Sequence, residues 1–146
     1  MEGLSGAASV IAVVDLSAKV ASLCFQYLVA VKDAKEDIKR LQGEVNSIKD
    51  VLGGFTQLLD GLDNKMRLLV TQRLSNSLED CFLQLEAVQK RLEPGGARKA
   101  MNRFGVRALK WPFRSKEIEG IVHGLERHTR RMGYIFRTRQ FHCFRL

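Results

Sequence analysis

GLSGAASVIAVVDLSAKVASLCFQYLVAV, residues 3–31, carries charge at only two positions, Asp15 and Lys19. Three structures could account for such a run: a secretion signal, a membrane span, or one wall of a helical bundle. A signal peptide needs a basic leading segment and a cleavage site after a short apolar stretch, whereas here Glu2 stands in front and the pattern continues. A span needs about 20 uninterrupted apolar residues, and Asp15 and Lys19 break that count. Asp15, Lys19, Ser22 and Gln26 follow one another at steps of four, three and four, which puts them on one narrow face of a helix. Asp15 and Lys19 also stand at the spacing of an i,i+4 ion pair. The stretch therefore predicts a bundle helix that is apolar around most of its circumference and wet along one stripe. Its small residues let neighbouring helices approach closely.

The rest of the chain agrees with this. One domain of 146 residues, 45% hydrophobic and 27% charged with two prolines, is long enough to bury a core. Sustained period-two alternation is absent, so the fold class is all-α. In residues 34–59, Ile38, Leu41, Val45, Ile48, Leu52, Phe55 and Leu59 form an a/d seam, with Glu36 and Arg40 spaced to pair on the outer face. The Gly53–Gly54 pair weakens this helix and is a candidate kink. Gly61 stops it, and Asp63 or Asn64 caps the next. Residues 65–92 carry a second seam, Leu74, Leu78, Cys81, Leu85, Val88 and Leu92, with Lys90 and Arg91 in the last turn and Pro94-Gly95-Gly96 as terminator. A short basic helix is expected over residues 98–109, ended by Pro112. Ser115 is the expected N-cap of a last helix over 116–139, with Ile118, Val122, Leu125, Met132 and Phe136 on its apolar face and Lys116, His123, Arg127, Arg130 and Arg131 opposite. The domain is expected to span 1–140, with 141–146 an irregular tail. Val10, Val14, Leu23, Leu41, Val45, Ile48, Leu52, Leu78, Leu85, Val88, Leu125 and Phe136 are the expected core.

The net charge of +8 is unevenly held. Residues 1–94 have 11 Lys and Arg against 13 Asp and Glu, whereas residues 95–146 have 13 against 3. A basic last third suits an anionic partner. Nucleic acid is the less favoured one, because no recognition-helix motif, zinc site or row of exposed aromatics accompanies the arginines, and Trp111 and Phe113 read better as a plug for one bundle end. Cys24, Cys81 and Cys143 lie far apart and lack metal-ligand spacing, so buried thiols in a reducing compartment are expected. The run EPGGARKA lacks the ending of a phosphate-binding loop and does not follow a strand. Neither a nucleophile elbow nor a paired-carboxylate arrangement can be assembled, and Ser5, Ser9 and Ser17 sit in an apolar helix without a nearby histidine. A non-enzymatic protein is expected, with no cofactor, metal or small-molecule substrate.

Three blocks resemble a known family: LSGAASVIAVV at the start, VKDAKEDIKRL at 31–41, and LKWPFRSKEI at 109–118 within ALKWPFRSKEIEGIVHGLERH. Together they are similar to the fungal HeLo-like N-terminal domain found ahead of STAND and ankyrin-type proteins, a family that also takes its name from protein L of an azaphilone-pigment gene cluster. The resemblance covers about residues 1–140. It implies a bundle of four main helices plus a short one, related to the HeLo cell-death domains and more distantly to the bundle of the necroptosis pseudokinase. It also implies a signalling or effector module that self-associates and targets membranes in a cell-death or incompatibility response. The nucleotide-binding or repeat region that follows in such proteins has no counterpart in these 146 residues, and the polar continuation after the last helix is replaced by RTRQ and FHCFRL. On this reading Leu4, Gly6, Ala7, Val10, Ile11, Val13 and Val14 form the membrane-contact helix. Lys116, Arg127, Arg130 and Arg131 form the face for anionic lipid or a protein partner. The expected location is cytoplasmic, with recruitment to a membrane. The competing reading is an interaction adaptor that docks on a second copy or another helical domain and has no membrane activity.

Overall fold

The computed structural model describes residues 6–93 and 110–145, with side chains described for 10–93, 110–135 and 137. Among these residues the fold is all-α, with four helices: α1 (Gly6–Ala30), α2 (Lys35–Asp60), α3 (Asn64–Leu92) and α4 (Ser115–Arg145). The expected short helix at 98–109 lies outside the described residues.

Each helix starts and stops for a local reason. The carboxylate of Asp63 caps α3, accepting from the Met66 backbone N–H at 2.8 Å. Helix α2 ends at Gly61, whose N–H turns back to the Leu58 carbonyl with right-handed backbone angles, so the left-handed freedom of glycine is not used there. Its start is less relaxed: Ala34 sits at φ 67° with no side-chain cap. The start of α4 differs from the expected one. Arg114 is its N-cap, since the Ile118 N–H donates to the Arg114 carbonyl and Glu117 reaches back to the Arg114 N–H. Ser115 lies inside the first turn, and its hydroxyl donates to Asp37 on α2 at 2.7 Å. Helix α4 also runs through 141–145, where an irregular tail was expected, because no proline or glycine follows Gly133 to stop it. The Gly53–Gly54 pair does not interrupt α2.

The seams become the core. All seven seam residues of α2 and all six of α3 are buried, joined by Ile118, Val122, Leu125 and Met132 from α4. Val10, Val13, Leu16, Val20, Cys24 and Tyr27 supply the α1 side. Val14 and Leu23, expected in the core, are half-buried because they flank the inner face of α1 instead of centring on it. The Phe136 side chain lies outside the described set.

Helix α1 packs on α2 and α3, and α4 packs on the same two. Hence α1 and α4 stand on one diagonal of the bundle and α2 and α3 on the other, although only residues 61–63 join α2 to α3. Near the start of α4 the bundle end is closed by an aromatic group. Tyr27 and Phe113 each meet Trp111 edge-on with centroids 5.3 Å apart. The Arg91 guanidinium lies 4.2 Å from the Phe113 ring centre and also pairs with Glu117. Trp111 and Phe113 thus take the plugging role expected of them.

Candidate functional site

Helix α1 carries the residues assigned to membrane contact. Gly6 and Ala7 open the helix, Val10 and Val13 face the core, Val14 is half-buried and Ile11 is exposed; Leu4 lies outside the described residues. In the closed bundle this set is therefore divided between core and solvent. Ser17, buried beside Val13, donates its hydroxyl to the Val13 carbonyl at 2.7 Å, which satisfies a polar group without opening the packing.

The predicted wet stripe is present: Asp15, Lys19, Ser22 and Gln26 are all exposed. Neither the Asp15–Lys19 nor the Glu36–Arg40 spacing produces an ion pair among the described residues. Exposed side chains of this kind gain too little from pairing to hold both chains in one rotamer. Sequence reasoning missed the apolar members of the same face. Ile11, Phe25 and Val29 are 53, 57 and 73% exposed. The signal lies in the seven-residue recurrence of Ile11, Ala18 and Phe25, which is masked by the polar residues interleaved with them.

The far end of α1 is fastened firmly. Tyr27 is almost fully buried, and its hydroxyl donates to the Leu92 carbonyl at 2.8 Å. That carbonyl belongs to the last turn of α3, where no intrahelical donor remains for it. One tyrosine thus caps α3 and ties α1 to it.

On α4, Lys116, Arg127, Arg130 and Arg131 are all exposed, opposite Ile118, Val122, Leu125 and Met132. Arg130 pairs with Glu126 at 3.2 Å, and His123 lies between Glu119 and Glu126 at 3.9 and 3.7 Å. Among the described residues, Lys116, Arg127 and Arg131 have no carboxylate partner. Because α4 stands diagonally across from α1, its basic face and the outer face of α1 point to opposite sides of the molecule.

His128 sits behind this face, 8% exposed, and its Nδ1 has no hydrogen-bond partner among the described residues. Burial pushes its pKa below the usual imidazole value; Asp80 pulls it back up, while Arg131 and Arg127 push it further down. Glu117 is held below the usual carboxylate range, chiefly by its hydrogen bond from Arg91. Burial raises the Cys24 and Cys81 thiols to about 12, so both stay protonated and unreactive. No group of three or more His, Cys, Asp and Glu that could hold a metal converges among the described residues. Between α3 and α4 a groove of about 450 Å³ is lined by Gln84, Val88, Arg91, Phe113, Gly120 and Ile121, among others. At its wall, Gly124 lets Gln84 lie close: a Cβ there would meet the Gln84 amide at 3.0 Å.

No family model matches the chain, and no curated protein or solved structure matches it.

Proposed function

We propose that this domain is a non-enzymatic signalling module in which α1 is held in the bundle at rest and engages a membrane, with self-association, once released. The response served is of the cell-death or incompatibility type implied by the fungal HeLo-like resemblance, and the domain is cytoplasmic until recruited. The observation that carries the reading is the make-up of α1. Val10–Ala30 is long and apolar enough to cross a bilayer by length and composition, yet its inner face is part of the core. Many core helices of soluble proteins pass the same test, so the outer face adds the needed weight: Ile11, Phe25 and Val29 stay exposed in the closed bundle. Lys116, Arg127 and Arg131 supply the second element, each worth about 1 kcal/mol near an anionic surface.

Because the two elements face opposite ways, a closed bundle cannot lay both on one membrane plane. Binding is therefore weak at rest and strong after release. Flotation with anionic vesicles tests this on wild type, Val10→Asp and an Arg127/Arg130/Arg131→Ala triple variant. Folding is checked by circular dichroism, since Val10 is buried. A carboxylate at position 10 costs several kcal/mol in hydrocarbon, so Val10→Asp is expected to lose flotation, and the triple variant to lose most of it. Failure of folded wild type to float, even under mild destabilisation, favours an interaction adaptor without membrane activity.

A further inference from the structure

We infer that in the closed state the outer face of α1 is a pairing surface for a second copy of this chain, antiparallel, with the two-fold axis at Ala18. This rests on the self-association part of the proposed function but concerns the resting bundle. Along the exposed side of α1, Ile11, Asp15, Ala18, Ser22, Phe25 and Val29 follow at alternating steps of four and three, the seam spacing of helices that pair. The α1 inner seam is already filled by α2 and α3, and among the described residues no helix covers this second seam.

The order of residues along it selects the occupant. Ala18 lies midway between Ile11 and Phe25 and is the smallest side chain on the seam, so two helices can cross closest there. Rotation about Ala18 sets Ile11 of each copy against Phe25 of the other. Asp15 then stands three residues before the axis and Lys19 one after it. Lys19 of the second copy comes level with Asp15 to within two residues, about 3 Å of helix rise. This happens twice, once on each side of the axis. Both charges are exposed, and neither has an ion-pair partner among the described residues. A parallel pair would instead stack Asp15 on Asp15 and Lys19 on Lys19. In the closed bundle a bilayer is the poorer occupant of this face, because Asp15 and Lys19 sit at its middle while the apolar inner face of α1 is still packed in the core. A single helix face is smaller than the interface of a permanent dimer, so the pairing is reversible and concentration-dependent.

The test is sedimentation equilibrium of the 146-residue chain across a concentration series. Wild type is expected to show a monomer–dimer equilibrium. Phe25→Glu is expected to weaken it about tenfold or more, because a large aromatic anchor is replaced by a charge on both sides of the axis. Asp15→Lys and Lys19→Asp should each weaken it, and the double exchange Asp15→Lys/Lys19→Asp should restore most of the loss. All these positions are exposed, so the melting temperature serves as a folding control. Orientation is read by oxidation in a Cys143→Ser background: Ala18→Cys should give a disulfide-linked dimer, whereas Ile11→Cys should do so only when mixed with Phe25→Cys. A wild type that stays monomeric throughout, a dimer indifferent to Phe25→Glu, a double exchange that restores nothing, or Ile11→Cys that crosslinks with itself overturns the inference. Flotation of the same samples keeps the two readings apart. Flotation without a resting dimer refutes only this pairing, whereas a resting dimer without flotation refutes only the membrane reading.

Discussion

Replacing Tyr27 with phenylalanine should loosen α1 without disturbing its packing. The ring keeps its edge-on contact with Trp111, and only the hydroxyl that donates to the Leu92 carbonyl at 2.8 Å is removed. A net hydrogen bond contributes about 0.5–1.5 kcal/mol, and a buried carbonyl left without a donor costs about 1–3 kcal/mol. Tyr27 is 1% exposed, so water does not readily take over, and a loss of about 1–2 kcal/mol is expected. This loss falls on the joint between α1 and α3. It multiplies the population with α1 released by a factor of about 5–30 while most molecules stay folded. Urea unfolding measures the stability change, and flotation at sub-saturating anionic lipid measures release; both should move together. Lower stability with unchanged flotation would show that this joint does not restrain α1. Unchanged stability would show that the hydroxyl contributes nothing net.

Leu85→Ala, at a fully buried seam position, should cost about 2–5 kcal/mol in chemical unfolding. Gly53→Ala should raise stability by about 0.5–1 kcal/mol, because a Cβ there meets nothing within 4 Å and alanine is the better helix former. His128 should make stability sensitive to mild acid. Its folded pKa lies below the ordinary 6.5, so the unfolded chain takes the proton first and stability falls as pH drops through and below that value. His128→Asn should flatten the urea midpoint between pH 7.5 and 5.5. The Glu117 effect appears only lower, near and below the usual carboxylate value of 4.5.

The seams of α2 and α3 were legible because each helix buries one stripe and the spacing of that stripe is a local property. The plugging role of Trp111 and Phe113 could be read from the proline between them, which keeps both aromatics out of a helix just before α4 begins. The pairing of helices was not legible. Periodicity says which face of α2 is apolar but not that α4, distant in sequence, covers it while the adjacent α3 takes the diagonal. Ser115 is a good cap by residue type, yet its hydroxyl goes to Asp37, whose nearness depends on how α2 and α4 meet. The same limit applies to Phe25 and Val29. An apolar residue on a mostly apolar helix gives no sign of facing outward until the neighbours are placed.

The diagonal placement of α1 and α4 also shapes how the molecule can open. Because α4 touches both α2 and α3, these three helices remain one connected body when α1 detaches. Helix α1 is thus a candidate for a separate cooperative unit, able to exchange its amide hydrogens through a sub-global opening that leaves the other helices protected. Such an opening leaves a trough between α2 and α3, apolar and as long as a helix, which must close, wet or accept a helix from elsewhere.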